Sequence, residues 1–296
     1  MSSPQSNIPL TAEVRKKWDD WLLVTRDRCH LHFEFVGATL EDHLAACLNS
    51  ADYSAERIAD DIGFVPKRIL EVGCSTGFNC IALATRFPQA EVVGIEPDEE
   101  AVQIARSMVA AAGMNKVEFQ VGYGECLSFP DEQFDFIVCH TVIEHVKNVE
   151  QVVSEMARVL APGGSLHLEA PNYVWPYEPH LGIWCIPLLG KGMARFMARV
   201  QLKSEHVGYL GHLQFVTPGR LERAFRAHGL TWQNRARQKI ERILGGDASQ
   251  VKAYQRMASL LHILAQLGLR QALVRFILFS GLYPSVLYTA RKAPVA

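Results

Sequence analysis

Short apolar runs alternating with helical stretches predict an α/β fold: a doubly wound, mostly parallel sheet covered by helices on both faces. Three observations carry this prediction. The runs Arg68-Ile69-Leu70-Glu71-Val72-Gly73 and Glu91-Val92-Val93-Gly94-Ile95-Glu96 are nearly continuous in apolar side chains, as strands buried on both faces are. Helical patterns separate each run from the next, the spacing of parallel crossover units. The first run ends in the bend Gly73-Cys74-Ser75-Thr76-Gly77, where a strand passes straight into a helix.

Taken in order, residues 1–66 form a helical cap. Trp18, Trp21 and Leu22 stand at helical spacing within 14–24. A second helix follows Thr39-Leu40-Glu41-Asp42, and a third covers 54–62 with Ser54 as its N-cap. The core, 67–172, holds strands at 68–73, 91–96, 117–121, 134–139 and 165–169. Helices lie between them at 78–86, 99–112 and 149–160, the last stopped by Pro162-Gly163-Gly164. Residues 173–216 are rich in aromatics, Pro, Gly and His without a clear period. Such a segment is long for a loop, and insertions of this kind are usually covers or binding segments. Residues 217–296 return to the core. Pro218 opens a helix to 227, strands are expected at 230–237 and 285–290, and a helical insert fills 249–280. In that insert Tyr254, Met257, Leu260, Leu261, Leu264 and Leu267 make one stripe.

The 296 residues are 49% hydrophobic and 21% charged, with a net charge of -1. The charge balance argues against nucleic acid as the main partner, which usually demands a basic excess. Seven cysteines without a CxxC pair read as reduced thiols. The start MSSPQSNIPL has no charged-then-apolar signal, and the apolar stretches near 181–190 and 276–282 fall short of the ~20 residues that cross a bilayer. The expectation is a soluble, cytoplasmic protein.

Gly73 and Gly77 let the backbone approach a ligand closely, and the helix N-terminus beyond presents free N–H groups. Glu96 ends the second strand, 23 residues after Gly73. An acid about 20 residues on in doubly wound sites accepts hydrogen bonds from two ribose hydroxyls. A nucleophile elbow centred on Ser75 would leave Glu96 unexplained, and Glu96 as a mere helix cap competes with the better cap Asp98. The absence of G-x-G-x-x-G argues against a nicotinamide site.

The runs ILEVGCSTGFNCIALA, VVGIEPD, VGYGECLSFPDEQFDFIVCHTVIEHV and ARVLAPGGSLHLEAPN together resemble the class I S-adenosylmethionine-dependent methyltransferases. Within them they look most like the branch of ubiquinone-biosynthesis O-methyltransferases and natural-product methyltransferases. The resemblance spans about 66–173 and implies a seven-stranded Rossmann-like sheet with S-adenosyl-L-methionine as cofactor. It implies that Glu71, Gly73, Ser75 and Gly77 line the methionine side of the cofactor, that Glu96 holds the ribose and that Pro97 packs by the adenine. In Gly122-Tyr123-Gly124-Glu125, Tyr123 stands where the family usually carries an Asp for the adenine amino group. Glu125, a backbone carbonyl, or stacking by Tyr123 would replace that contact. His140 lies at the carboxyl end of the fourth strand, where ligands bind.

The activity implied is methyl transfer to an O or N atom of a small, partly apolar metabolite, with a cofactor-binding but non-catalytic member as the alternative. Alignment of nucleophile, methyl and sulfur is the main task, and a general base is needed only for a protonated acceptor. Base candidates are His145, His180, His206 and His212, with His180 and His212 favoured. Tyr173, Tyr177 and Glu178, leaving the fifth strand on its ligand edge, are candidate acceptor contacts. In the ubiquinone branch an upstream Glu joins Glu144-His145 to hold a divalent metal. Thr141 takes that upstream place here, so no metal is predicted. Leu273, Phe276, Ile277, Leu278, Phe279 and Leu282 beside Arg270, Arg275, Arg291 and Lys292 suggest a peripheral membrane contact or lipid-like entrance; a packed lid or homodimer face is the competing reading.

Overall fold

The structure, a computed structural model, describes residues 8–28, 39–244 and 268–294. Its core is a seven-stranded sheet of order β3-β2-β1-β4-β5-β9-β8. The strands are β1 (Arg68–Val72), β2 (Glu91–Glu96), β3 (Val117–Val121), β4 (Phe134–His140), β5 (Leu160–Pro171), β8 (Leu230–Asn234) and β9 (Ser285–Lys292). All run parallel except β9, which is antiparallel to both β5 and β8. The order reverses between β1 and β4, so the crevice for a ligand opens above their carboxyl ends.

Two apolar layers sandwich the sheet. One packs α1 (Ala12–Arg28), α2 (Leu40–Ile62), α3 (Phe78–Arg86) and α4 (Glu99–Ala111) around Trp18, Ile62, Ile69, Ile81 and Phe136, all fully buried. The other packs α5 (Val149–Val159), α7 (Pro218–Ala227), α8 (Ala236–Leu244) and α9 (Arg270–Ser280) around Leu70, Ile137, Leu166, Phe225 and Tyr288. Asp98 caps α4 by accepting from Glu100 N and Ala101 N. Its second oxygen accepts from Trp21 Nε1 at 3.2 Å, which pins α1 to the core.

The helical cap differs from expectation in one respect. Residues 54–62 are not a separate helix: α2 runs unbroken from Leu40, started by a reciprocal capping box between Thr39 and Asp42 and stopped at Gly63 in the left-handed region. Ser54 therefore sits mid-helix. Of the expected insert 249–280, only α9 falls in the described residues, and the Tyr254–Leu267 stripe lies outside them.

The segment 173–216 is more ordered than its sequence suggests. It holds a small hairpin, β6 (Tyr177–Glu178) with β7 (Ile183–Trp184), then α6 (Gly190–Val200) and a 3-10 turn, Ser204–Gly211. These close around their own small core of Leu181, Ile183, Ala194, Ala198, Leu210 and Leu213. The neck is tied where the chain leaves and returns, by Tyr173 N donating to Val216 O at 2.9 Å.

Candidate functional site

Above the β1/β4 switch point lies a cleft of about 620 Å³, within the range of small-molecule sites. Its floor is the bend after β1. Gly73 holds φ +75, and a Cβ there would come 2.4 Å from Val142 Cγ2. Gly73 N and Cys74 N both donate to Ile95 O, at 2.8 and 2.9 Å, so the bend is sewn to β2. Ser75 (φ 47) and Thr141 (φ 54) are non-glycine residues in the left-handed region, and both line the cleft. Such conformations cost on the order of 1–3 kcal/mol and cluster at ligand sites.

Three carboxylates and one lysine line this cleft: Glu71, Glu96, Glu125 and Lys147. Glu71 is buried and accepts from Asn79 Nδ2 and Cys80 Sγ, each at 2.9 Å. Burial pushes its carboxyl up to about 7, against the pull of those two donors. Glu96 accepts from Ser75 N at 2.9 Å and Asp98 N at 3.2 Å, one on each oxygen. Burial raises its pKa, partly offset by these bonds. Each carboxylate oxygen has a further lone pair, so the group can still receive a pair of hydroxyls.

Most of the candidate ligand contacts meet here: Glu71, Gly73, Ser75, Glu96, Pro97, Tyr123, Gly124, Glu125, His140 and His145 all line the cleft. Gly77 does not. It faces away, and a Cβ on it would meet the Phe119 ring at 2.6 Å, so its place is set by packing of α3 onto the sheet. Glu125 lines the rim but accepts from Lys147 N at 2.7 Å, anchoring the loop before α5. His140 Nε2 lies 3.6 Å from Glu169 Oε2, and Glu169 is itself paired with Lys239.

The roof of the cleft was not foreseen. Cys47, Ser50, Ala51 and Ser54 of α2 line it. Their spacing of 3, 1 and 3 residues puts them on one helical face, and small side chains repeated at that spacing were the available signal.

Residues 69–164 match the family described as Methyltransferase domain. The strand–helix core of this chain is thus similar to a methyltransferase domain. Ajmaline N-methyltransferase of Rauvolfia serpentina is 32% identical over 147 residues, 47% of this chain and 50% of that protein. Ubiquinone biosynthesis O-methyltransferase of Sinorhizobium medicae (strain WSM419) is 30% identical over 128 residues, 40% of this chain and 50% of that protein. The chain spans about half the length of the curated relatives it matches. Among solved structures, geranyl diphosphate methyltransferase superposes with a TM-score of 0.54 at 16% identity, covering 89% of this chain and 96% of the other. The cyclase SpnF gives 0.53 at 19% identity, covering 98% and 100%. At these identities the likeness is one of fold.

The matched residues supply the floor and walls of the cleft, while the α2 roof and the 173–216 insertion lie outside them. The insertion delivers two side chains to the cleft's edge. The His180 ring lies edge-on to His145, centroids 5.0 Å apart, and the Tyr209 hydroxyl is 3.1 Å from His145 Nδ1. His145 Nε2 lies 3.7 Å from Glu144 Oε1. Burial of the packed side of its ring, helped by His180, pulls the His145 pKa down to about 4. Burial pushes the Glu144 carboxyl up to about 7, and both its oxygens are buried without a hydrogen-bond partner. Glu144, His145 and His180 each offer one ligand atom within 4.8 Å of the others. The sequence showed two donors of a metal set; the fold adds a third from the insertion, not from position 141, and this donor set fits a divalent cation.

The remaining expected contacts stand away from the cleft lining. Glu178 is buried and bonded inward, accepting from His180 N, Leu181 N and His180 Nδ1, the last at 2.6 Å. Tyr173 stacks on Phe215 at 4.3 Å and Tyr177 stands edge-on to Trp184 at 5.3 Å. His212 is exposed at the end of the 3-10 turn. His206 lies in that turn, at a position whose side chain is outside the described set.

Proposed function

We propose that this chain binds S-adenosyl-L-methionine in the β1/β4 cleft and transfers its methyl group to an O or N atom of a small, partly apolar metabolite. The observation that carries this is Glu96, whose two oxygens are fixed by Ser75 N of the glycine bend and by Asp98 N in a cleft lined by three carboxylates and a single lysine. That lining suits a ligand with a sulfonium, an ammonium and a ribose. It suits poorly a coenzyme with a pyrophosphate, which calls for free N–H groups and cations.

The cofactor supplies an electrophilic methyl carbon on a good leaving group. The protein positions and excludes water. Glu96 would hold the ribose hydroxyls, Gly73 and Ser75 would border the amino-acid end, and Tyr123 with Pro97 would flank the adenine. The apolar faces of Val142 and Val146 dry the path to the acceptor. His145 is the base on the cleft itself. Its low pKa keeps it neutral at pH 7. The neutral ring has one acceptor nitrogen, which takes a hydroxyl proton from the acceptor, and the Tyr209 hydroxyl 3.1 Å from Nδ1 holds the ring in place. Glu144 Oε1, 3.7 Å from Nε2, stands close enough to stabilise by charge the imidazolium formed. His180, held by Glu178, fixes the plane of the His145 ring from behind. His212 stays outside this chain of contacts.

Calorimetry with S-adenosylmethionine and S-adenosylhomocysteine, followed by a methylation screen with radiolabelled donor, tests the proposal. Binding of both with transfer to at least one acceptor is the expected result. Binding without transfer to any acceptor would favour a non-catalytic member, a reading that Tyr123 in the adenine position supports. No binding of either ligand would end the proposal.

A further inference from the structure

Helix α6 carries its side chains in an unusual order. The face turned to the insertion's small core is made of alanines, Ala194 and Ala198, both buried. Its large apolar side chains point outward. Leu189, Phe196 and Val200 are 55, 57 and 59% exposed, spaced seven and four residues apart on one stripe, with Met193 between them. The loop before it and the turn after it extend the surface with Ile186, Leu188 and Leu202, the last 89% exposed. Alongside this stripe, at the helical positions between the buried and exposed faces, run Lys191, Arg195 and Arg199, with Lys203 following the helix; Lys191 Nζ donates to Gly211 O at 2.9 Å, and Arg195, Arg199 and Lys203 are exposed. From residue 179 to residue 204 the chain contains no Asp or Glu.

An amphipathic helix normally buries its large residues and shows its small ones to water. The reversal in α6 leaves an apolar ridge beside a row of cations, the composition of helices that lie in a bilayer interface with cations at headgroup level. We infer that α6 docks the protein on the surface of an anionic lipid bilayer, and this inference does not depend on methyl transfer. Charge selects this occupant over a second copy of the chain. Two copies meeting through α6 would bring the same cationic rows together without an acidic residue of 179–204 to offset them. The surface on α9 is a weaker case. Phe276 and Phe279 are exposed there, but Arg291 donates to Ile62 O and Lys292 to Ala157 O and Leu160 O, so two of the four cations expected beside them are committed to the fold. The placement has a geometric consequence. The insertion that bears α6 also brings His180 and Tyr209 to His145, so the docking helix and the cleft's edge belong to one structural unit.

The test is co-sedimentation of the full chain with extruded vesicles of phosphatidylcholine alone and of phosphatidylcholine with 30 mol% phosphatidylglycerol, at about 0.1 M salt, where charge attraction still reaches about 10 Å. Binding to the anionic vesicles at least tenfold tighter than to the neutral ones is expected. Phe196→Ser with Val200→Ser, and separately Arg195→Glu with Arg199→Glu, should each weaken binding tenfold or more while leaving the thermal midpoint and cofactor binding unchanged. Wild-type protein left in the supernatant, equal binding to both vesicle types, or unweakened binding by both double variants would overturn the inference. So would a lipid-free dimer, seen by light scattering, that Phe196→Ser with Val200→Ser disrupts.

Discussion

Replacing Gly73 by alanine tests whether the bend under the cleft is held by local geometry and close packing together. Gly73 sits at φ +75, where an L-residue costs about 1–2 kcal/mol. Its new Cβ would lie 2.4 and 2.6 Å from the two methyl carbons of Val142, and forcing a methyl into a filled space costs about 1–3 kcal/mol more. The sum is about 2–5 kcal/mol of stability. Because Val142 lines the cleft, its displacement should also weaken ligand binding. Gly113 provides the control. It has φ +66 and nothing within 4 Å of where a Cβ would stand, so Gly113→Ala should cost only the conformational part, about 1–2 kcal/mol. Urea unfolding of the wild type and both variants measures the difference, and calorimetry with S-adenosylhomocysteine reads the ligand side. Equal losses of stability for the two variants, or unchanged affinity in Gly73→Ala, would refute the reasoning.

Further outcomes follow from the same geometry. Glu96→Ala should weaken S-adenosylhomocysteine binding by about 10–100-fold, the worth of charge-assisted bonds to two hydroxyls, while Glu96→Gln should lose less; calorimetry decides, and unchanged affinity would remove the ribose role. His145→Gln should cut turnover of a hydroxyl acceptor by about 10²–10⁴ and leave cofactor affinity intact, whereas His212→Ala should leave both as they are; steady-state kinetics across pH 6–9 separates the two. His167 is buried in β5, and burial pulls its pKa down to about 4. Its folded-state pKa lies below the ordinary value, so the neutral ring's contribution is complete above pH 6.5 and is lost as pH falls toward 4. His167→Phe should therefore flatten the acid limb of stability by up to about 3 kcal/mol between pH 7 and pH 4 in urea titrations, and an unchanged limb would count against this assignment.

The sheet was legible because parallel strands declare themselves: Ile69, Leu70 and Val72, or Val92 and Ile95, leave little polar interruption, and β1 runs into Gly73 while β2 ends at Glu96. Glu96 was legible for the same reason, since its place follows from where β2 stops. The extent of α2 was not, because Ser54 is as good a cap as it is a small residue facing a cavity, and only the capping box at Thr39 shows which helix is real. Gly77 looked like a ligand contact because a glycine's purpose is invisible without its neighbour, here Phe119. The meeting of His145, His180 and Tyr209 joins positions up to 64 residues apart through an aperiodic segment, and no local pattern encodes it. α6 escaped notice because its buried face is alanine, so the apolar period that marks a helix's core side marks its outer side instead.

The insertion leaves β5 and comes back to the fold through one narrow waist, Tyr173 against Val216, and carries its own miniature core. A piece so closed upon itself can be exchanged as a cassette. Evolution, or an engineer, can transplant it between sheets of this kind and so change what the edge of the cleft admits, while the bend and the carboxylate built from β1 and β2 are left untouched.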